Sequence, residues 1–224
     1  MKFPYRTILQ SAFVTTLTLF GGLLAGGVAG NLIFETLSGH SVPNPSALHV
    51  TLGIFPAVTG VVAGSGAWGW AMGGLAGAQN RWRMVFAGIL GFVPTTIILA
   101  IVLLNLEGVV VVATGVQLPT HRVFTLLFVP AAFLIAGISA WAIGRGLRDI
   151  ALAGSLLWRV GLAAALAFLV VNPVMEASGW VVGAPGAAAR YTMLTVLFAG
   201  NLGAALAGGA VLGWMLATTT RKPG

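Results

Sequence analysis

Six apolar stretches follow one another along the chain, separated by short segments of polar, charged and turn-forming residues. They cover roughly residues 12–34, 50–76, 84–106, 123–144, 154–175 and 191–217. Each approaches or exceeds the ~20 residues that a helix needs to span a hydrocarbon core about 30 Å thick. Apolar and polar residues do not alternate at period two, and an open sheet edge cannot exist in lipid. The pattern therefore predicts helices.

The composition indicates the same environment. Apolar residues make up 58% of the 224 positions and charged residues only 7%, whereas soluble domains carry about 25% charged residues. So few charges cannot cover a water-facing surface. We expect an all-α fold class, a polytopic membrane helix bundle of six transmembrane helices that forms a single integral membrane domain over residues 1–224.

Basic residues lie mostly on one side of this predicted bundle. With a cytoplasmic N-terminus, the outer side holds Arg122 and Arg190, and the inner side holds the other nine, Lys2, Arg6, Arg81, Arg83, Arg145, Arg148, Arg159, Arg221 and Lys222. Because cytoplasmic loops are enriched in Lys and Arg, we predict a multi-pass protein of the plasma or inner membrane with both termini in the cytoplasm. Contact with anionic lipid then explains the net charge of +7, and no nucleic-acid partner is expected.

A short pattern recurs about every seventy residues. AGSGAWGW (63–70), AGISAW (136–141) and AGGAVLGW (207–214) each combine Ala-Gly, small residues and Trp. This spacing favours three helical hairpins, at about 6–81, 83–147 and 150–219, related by a pseudo-threefold internal repeat. Chance similarity between sequences rich in Ala and Gly is the alternative.

Glycines recur at four-residue spacing in several of the stretches, for example at Gly22, Gly26 and Gly30. Small residues four apart share one helix face and allow close helix packing, as in a glycine zipper. Such a face favours an internal seam between helices. It is also suited to a homo-oligomer or to a contact with a larger membrane complex.

Polar residues that could bind a ligand gather at the predicted outer ends of the odd-numbered stretches. These candidates are Glu35, Glu107 and Glu176, with Asn31 and Asn172 in the related segments NLIFE and NPVME. Arg159, inside the fifth stretch, can extend its side chain to the cytoplasmic interface. The alternative is an anion site between helices, because a charge within a span often serves function. The histidines, His40, His49 and His121, are weak candidates for a metal site, since they lack the close spacing typical of zinc ligands.

Catalytic motifs are absent from the sequence. The chain has no cysteine, and Ser65, Ser139 and Ser155 lie in spans that contain no histidine able to act as a base. We therefore expect neither an enzyme nor a cofactor. Thr95, Thr96 and Asn201 are milder polar candidates for the lining of a path through the bundle.

Two functions fit these features. One is a small-solute or cation permeation or transport protein, in which the outer carboxylates converge around a cavity. The other is a noncatalytic accessory or assembly subunit of a larger membrane complex. That role predicts a solid core and an apolar exterior grooved by glycines.

Overall fold

The computed structural model describes the backbone of residues 5–38, 47–114, 120–177 and 187–219, and the side chains of 5–37, 52–99, 101–102, 128–171, 173–174 and 198–219. These ranges contain helices and two short turns, and no strand occurs in them. The helices are α1 (Tyr5–Thr15), a π-helical segment (Thr16–Phe20), α2 (Gly21–Ser38), α3 (Ala47–Leu75), α4 (Arg81–Thr114), α5 (Thr120–Gly146), α6 (Ile150–Ala177) and α7 (Ala187–Thr219).

Six helical spans in the described part of the chain are long and apolar enough to cross a membrane. The first runs from Tyr5 to Leu37 and combines α1, the π-helical segment and most of α2. For the described residues, the prediction of an all-helical fold with six helices long and apolar enough to span a membrane is therefore confirmed. The membrane concerned and the side that holds the termini stay predictions.

Prolines lie inside four of the helices without ending them, at Pro56, Pro94, Pro130 and Pro173. Proline removes one backbone donor from the helix, and in a membrane bundle neighbouring groups compensate for it. In α6, Arg159 and Pro173 shorten the apolar run of the sequence. The helix is nevertheless continuous from Ile150 to Ala177.

The spans form a closed ring. Each packs on the next in chain order, and α7 returns to pack on α1, while α5 also contacts α3 and α7. The most extensive contact joins α5 to α6, which belong to different predicted hairpins. The three hairpins are thus not separate packing units, and the internal repeat stays a prediction.

Glycines at four-residue spacing lie on the contact between α2 and α3. A β-carbon at Gly22 would lie 2.8 Å from the carbonyl oxygen of Gly60, and one at Gly26 would lie 2.9 Å from that of Ala57. Gly30 approaches the backbone of Gly53 in the same way. These glycines therefore bring two backbones of the same chain together, where dispersion contacts replace the missing hydrophobic drive.

Two similar turns connect helices at one end of the bundle, which we call the basic end because it carries Arg81, Arg83, Arg145 and Arg148. Gly77 has a φ of 66° and Arg148 a φ of 64°, so each ends its helix in the left-handed conformation. Side chains then cap the helices that follow. Asn80 Oδ1 accepts a hydrogen bond from the N–H of Arg83, and Asp149 Oδ1 accepts one from the N–H of Leu152.

Candidate functional site

A cavity of about 400 Å³ lies at the centre of the helical ring. Every span contributes to its wall, and the lining residues that the structure describes include no charged one. Much of the wall of α5 and α7 consists of small residues, namely Ala131, Ala132, Ala136, Ala204, Ala205 and Gly208. The space exists because these side chains are too short to fill the centre of a ring of six helices.

A hydrogen bond joins Trp68 and Thr15, two residues of the cavity wall. Trp68 Nε1 donates to Thr15 Oγ1 over 3.0 Å, and both side chains are buried and line the cavity. An indole N–H in an apolar interior needs such an acceptor. Thr15 holds this position because Gly209 of α7 lies against it. A β-carbon there would be 2.8 Å from Thr15 Oγ1.

The π-helical segment follows Thr15 directly and supplies Leu19 and Phe20 to the cavity wall. A π-helical turn widens the helix by one residue and is frequent at functional sites. Phe20 also contacts Phe198 of α7 edge to face, with ring centroids 4.8 Å apart. The widened turn therefore shapes the wall where the first span meets the last.

A few hydroxyl and amide groups interrupt the apolar wall. Ser139 Oγ donates to the carbonyl oxygen of Ile135 at 2.6 Å, and Asn201 lies on the α7 side of the cavity. Thr96 also lines the cavity, and its Oγ1 is buried without a hydrogen-bond partner among the described residues. Such an unpaired hydroxyl is costly in a protein interior.

A second cavity of about 440 Å³ opens at the basic end, between the two turns. Arg83, Arg148, Asp149 and Thr219 are among its lining residues. Arg83 is held there by a hydrogen bond of 3.1 Å from its Nη2 to the carbonyl oxygen of Arg145. Its lining is a mixture of polar and apolar groups, whereas that of the central cavity is almost entirely apolar.

A layer of fully buried side chains separates the two cavities. Along α3, Trp68 lines the central cavity, Met72 is fully buried one turn later, and Ala76 lines the second cavity. Three other helices also have one residue at the central cavity, then a fully buried one, then one at the second cavity. These residues are, in that order, Ser139, Ile143 and Leu147 on α5, Val160, Leu156 and Leu152 on α6, and Leu212, Leu216 and Thr219 on α7. We call Met72, Ile143, Leu156 and Leu216 the closed layer. It blocks the path along the bundle axis.

The candidate residues from the sequence lie in several places. Asn31 and Glu35 are exposed on α2, Arg159 is exposed on α6, and none of them lines the central cavity. The side chains of Glu107, Glu176, Asn172, His40, His49 and His121 lie outside the described residues. Within the described part, no group of three His, Cys, Asp or Glu residues could hold a metal ion.

Sequence reasoning found part of the cavity wall. Thr96 and Asn201, chosen as polar residues within spans, do line the cavity. Thr95 instead donates to the carbonyl oxygen of Gly91 at 2.8 Å, a common use of threonine in membrane helices. Thr15 and Trp68 were missed as a pair, and no local pattern marks a contact between residues 53 positions apart.

Comparison with known proteins gives no functional lead, because no protein family, no curated protein and no solved structure matches the chain. The geometry of the bundle therefore carries the functional argument.

Proposed function

We propose that this protein transports a small, uncharged and largely apolar molecule along the axis of its helical bundle. The observation that carries the proposal is the central cavity of about 400 Å³. Binding sites for small molecules commonly have volumes of about 300–1,000 Å³ and an apolar lining with a few polar groups. The cavity matches both properties.

The chemistry of the wall supports an uncharged solute. Transfer of an ion into an apolar interior is very costly unless a counter-charge is present, and none of the described residues that line the cavity is charged. Cation permeation through a cluster of Glu35, Glu107 and Glu176 would need those carboxylates to supply that counter-charge. It stays an alternative within the transport hypothesis.

The closed layer supports a transport cycle with alternating access. A solute in the central cavity reaches the basic end only if the layer opens, since its four side chains are fully buried. Met72 is unbranched and flexible, and a weak hydrogen bond from Ser11 Oγ to its sulfur, 3.5 Å long, links the layer to α1. Movement of α1 relative to α3 is therefore the motion that we expect to open it.

The cavity also bears on the alternative of a noncatalytic accessory or assembly subunit. That role predicts a solid core, and a central space of this size supports transport instead. We expect no enzymatic activity, because the sequence contains no catalytic motif.

Proteoliposomes test the proposal. We test a panel of radiolabelled uncharged solutes and Na⁺. For at least one of the uncharged solutes we expect faster uptake than in protein-free vesicles, and for Na⁺ we expect no increase in uptake. Ala132→Phe should abolish the gain because the ring would occupy the cavity, which Ala132 lines. Leu134→Phe is the matched control, since Leu134 is 39% exposed on the same helix.

The opposite selectivity would reject the proposal. If the protein conducts Na⁺, if Ala132→Phe leaves that flux unchanged, and if the combined Glu35→Gln, Glu107→Gln and Glu176→Gln variant abolishes it, the carboxylate mechanism is the better one.

A further inference from the structure

Three tryptophans on the outside of the bundle have one contact in common. Trp70 on α3, Trp141 on α5 and Trp214 on α7 are 40%, 41% and 39% exposed. An arginine guanidinium lies over each indole ring. The carbon Cζ is 5.5 Å from the ring centroid for Arg81 on Trp70, 5.8 Å for Arg145 on Trp141 and 6.0 Å for Arg159 on Trp214.

The three arginines come from different positions in the chain. Arg81 is the first residue of α4, Arg145 follows its tryptophan by one turn in α5, and Arg159 reaches Trp214 from the neighbouring helix α6. The bundle thus builds the same pair three times from unlike sequence arrangements. All three tryptophans lie in the halves of their helices nearer the basic end.

These arginines have no carboxylate partner in the described part of the chain. Only two acids have described side chains, and Asp149 caps the start of α6 while Glu35 lies near the far end of the first span. Arg159 is the extreme case, because it lies nine residues after the start of α6, about 14 Å along the helix. A guanidinium at that depth needs a counter-charge or must extend towards the interface.

A guanidinium held over an indole by a cation–π contact is well suited to bind phosphate. The ring holds the planar group in place, and its N–H donors remain available along the edge, in a fork that matches two phosphate oxygens. Phosphate groups of anionic lipids provide negative charge at the cytoplasmic membrane surface. The exposed indole next to each guanidinium offers an apolar face to the glycerol and upper acyl region of the same lipid.

We propose that the three Arg–Trp pairs are binding sites for the phosphate group of anionic phospholipids, with one lipid at each pair. Arg159–Trp214 is the tightest of the three, because its depth in the apolar layer strengthens the ionic contact. The proposal concerns the outer surface of the bundle and is independent of the transport function of the central cavity.

Native mass spectrometry of the full chain, released from micelles with defined lipid, tests this inference. We expect up to three phosphatidylglycerol molecules to remain bound, with an affinity about five- to tenfold above that of phosphatidylcholine. Arg159→Gln should lower the number of retained phosphatidylglycerol molecules by one. Trp214→Leu, which keeps the charge, should weaken the same site.

Arg6→Gln is the matched control, because Arg6 lies at the same end of the bundle and has no indole contact in the described part. It should leave the lipid count unchanged, and circular dichroism should show that all variants stay helical. Equal retention of both lipids would overturn the proposal, as would an equal loss in Arg6→Gln and Arg159→Gln. Complete displacement of the lipid by millimolar inorganic phosphate would assign the sites to soluble phosphate and also overturn it.

Discussion

Gly208 and Gly209 are neighbours on α7, and alanine at the two positions is expected to change stability in opposite directions. A β-carbon at Gly208 would make ordinary contacts, the nearest at 3.5 Å from Val160 Cγ1. One at Gly209 would lie 2.8 Å from Thr15 Cβ and 2.9 Å from the Cα of Ala12. The first position therefore has room for a methyl group, and the second does not.

The magnitudes follow from these distances. Gly208→Ala should raise the free energy of unfolding by about 0.5–1 kcal/mol, because alanine loses less backbone freedom than glycine in a helix. Gly209→Ala should lower it by about 1–3 kcal/mol, because the clash with the α1 backbone forces α1 and α7 apart. The intrinsic helix preference is the same at both positions, so the difference between the variants isolates the packing.

Thermal unfolding in detergent micelles, followed by circular dichroism, measures the effect. For a chain of this size, 1 kcal/mol corresponds to a shift in Tm of about 2–4 °C. Gly209→Ala should also change tryptophan fluorescence, because displacement of Thr15 breaks its hydrogen bond to Trp68. Equal shifts of the two variants in either direction would refute the packing of α1 on α7 as described.

Two further pairs of variants test the cavity wall and the turns. Thr96→Val should stabilise the protein by about 1 kcal/mol in the absence of solute, because it removes a buried hydroxyl that has no hydrogen-bond partner in the described part of the chain. Thr95→Val should be neutral or slightly destabilising because its hydroxyl bonds to Gly91, and chemical denaturation that ranks Thr95→Val above Thr96→Val would contradict this account of the wall. Both Arg148 and Gly77 have a positive φ, which glycine adopts without strain and other residues do not. Arg148→Gly should therefore stabilise the protein, and Gly77→Ala should destabilise it, by about 1 kcal/mol each. Calorimetry in micelles compares them, and a destabilised Arg148→Gly would show that contacts of the Arg148 side chain outweigh the backbone strain.

Much of the architecture follows directly from the amino-acid pattern. Largely apolar stretches with the length of a membrane span have one stable backbone structure in lipid, the helix. This is why six spans could be predicted, and why Pro173 and Arg159 do not interrupt α6. Helix ends were predicted less well. Helix α4 continues to Thr114 because the valines after Glu107 extend the apolar run.

Only the tertiary structure decided which face of each span points to the centre. Trp68 and Trp70 are two residues apart, and their neighbours in the sequence are small residues in both cases. Trp68 is nevertheless 2% exposed and donates a hydrogen bond to Thr15, whereas Trp70 is 40% exposed and lies beneath Arg81. A water-soluble helix reveals its buried face through its apolar residues. A helix in lipid is apolar on every side, so the sequence fixes the number of spans, and the packing of small residues decides where the cavity lies.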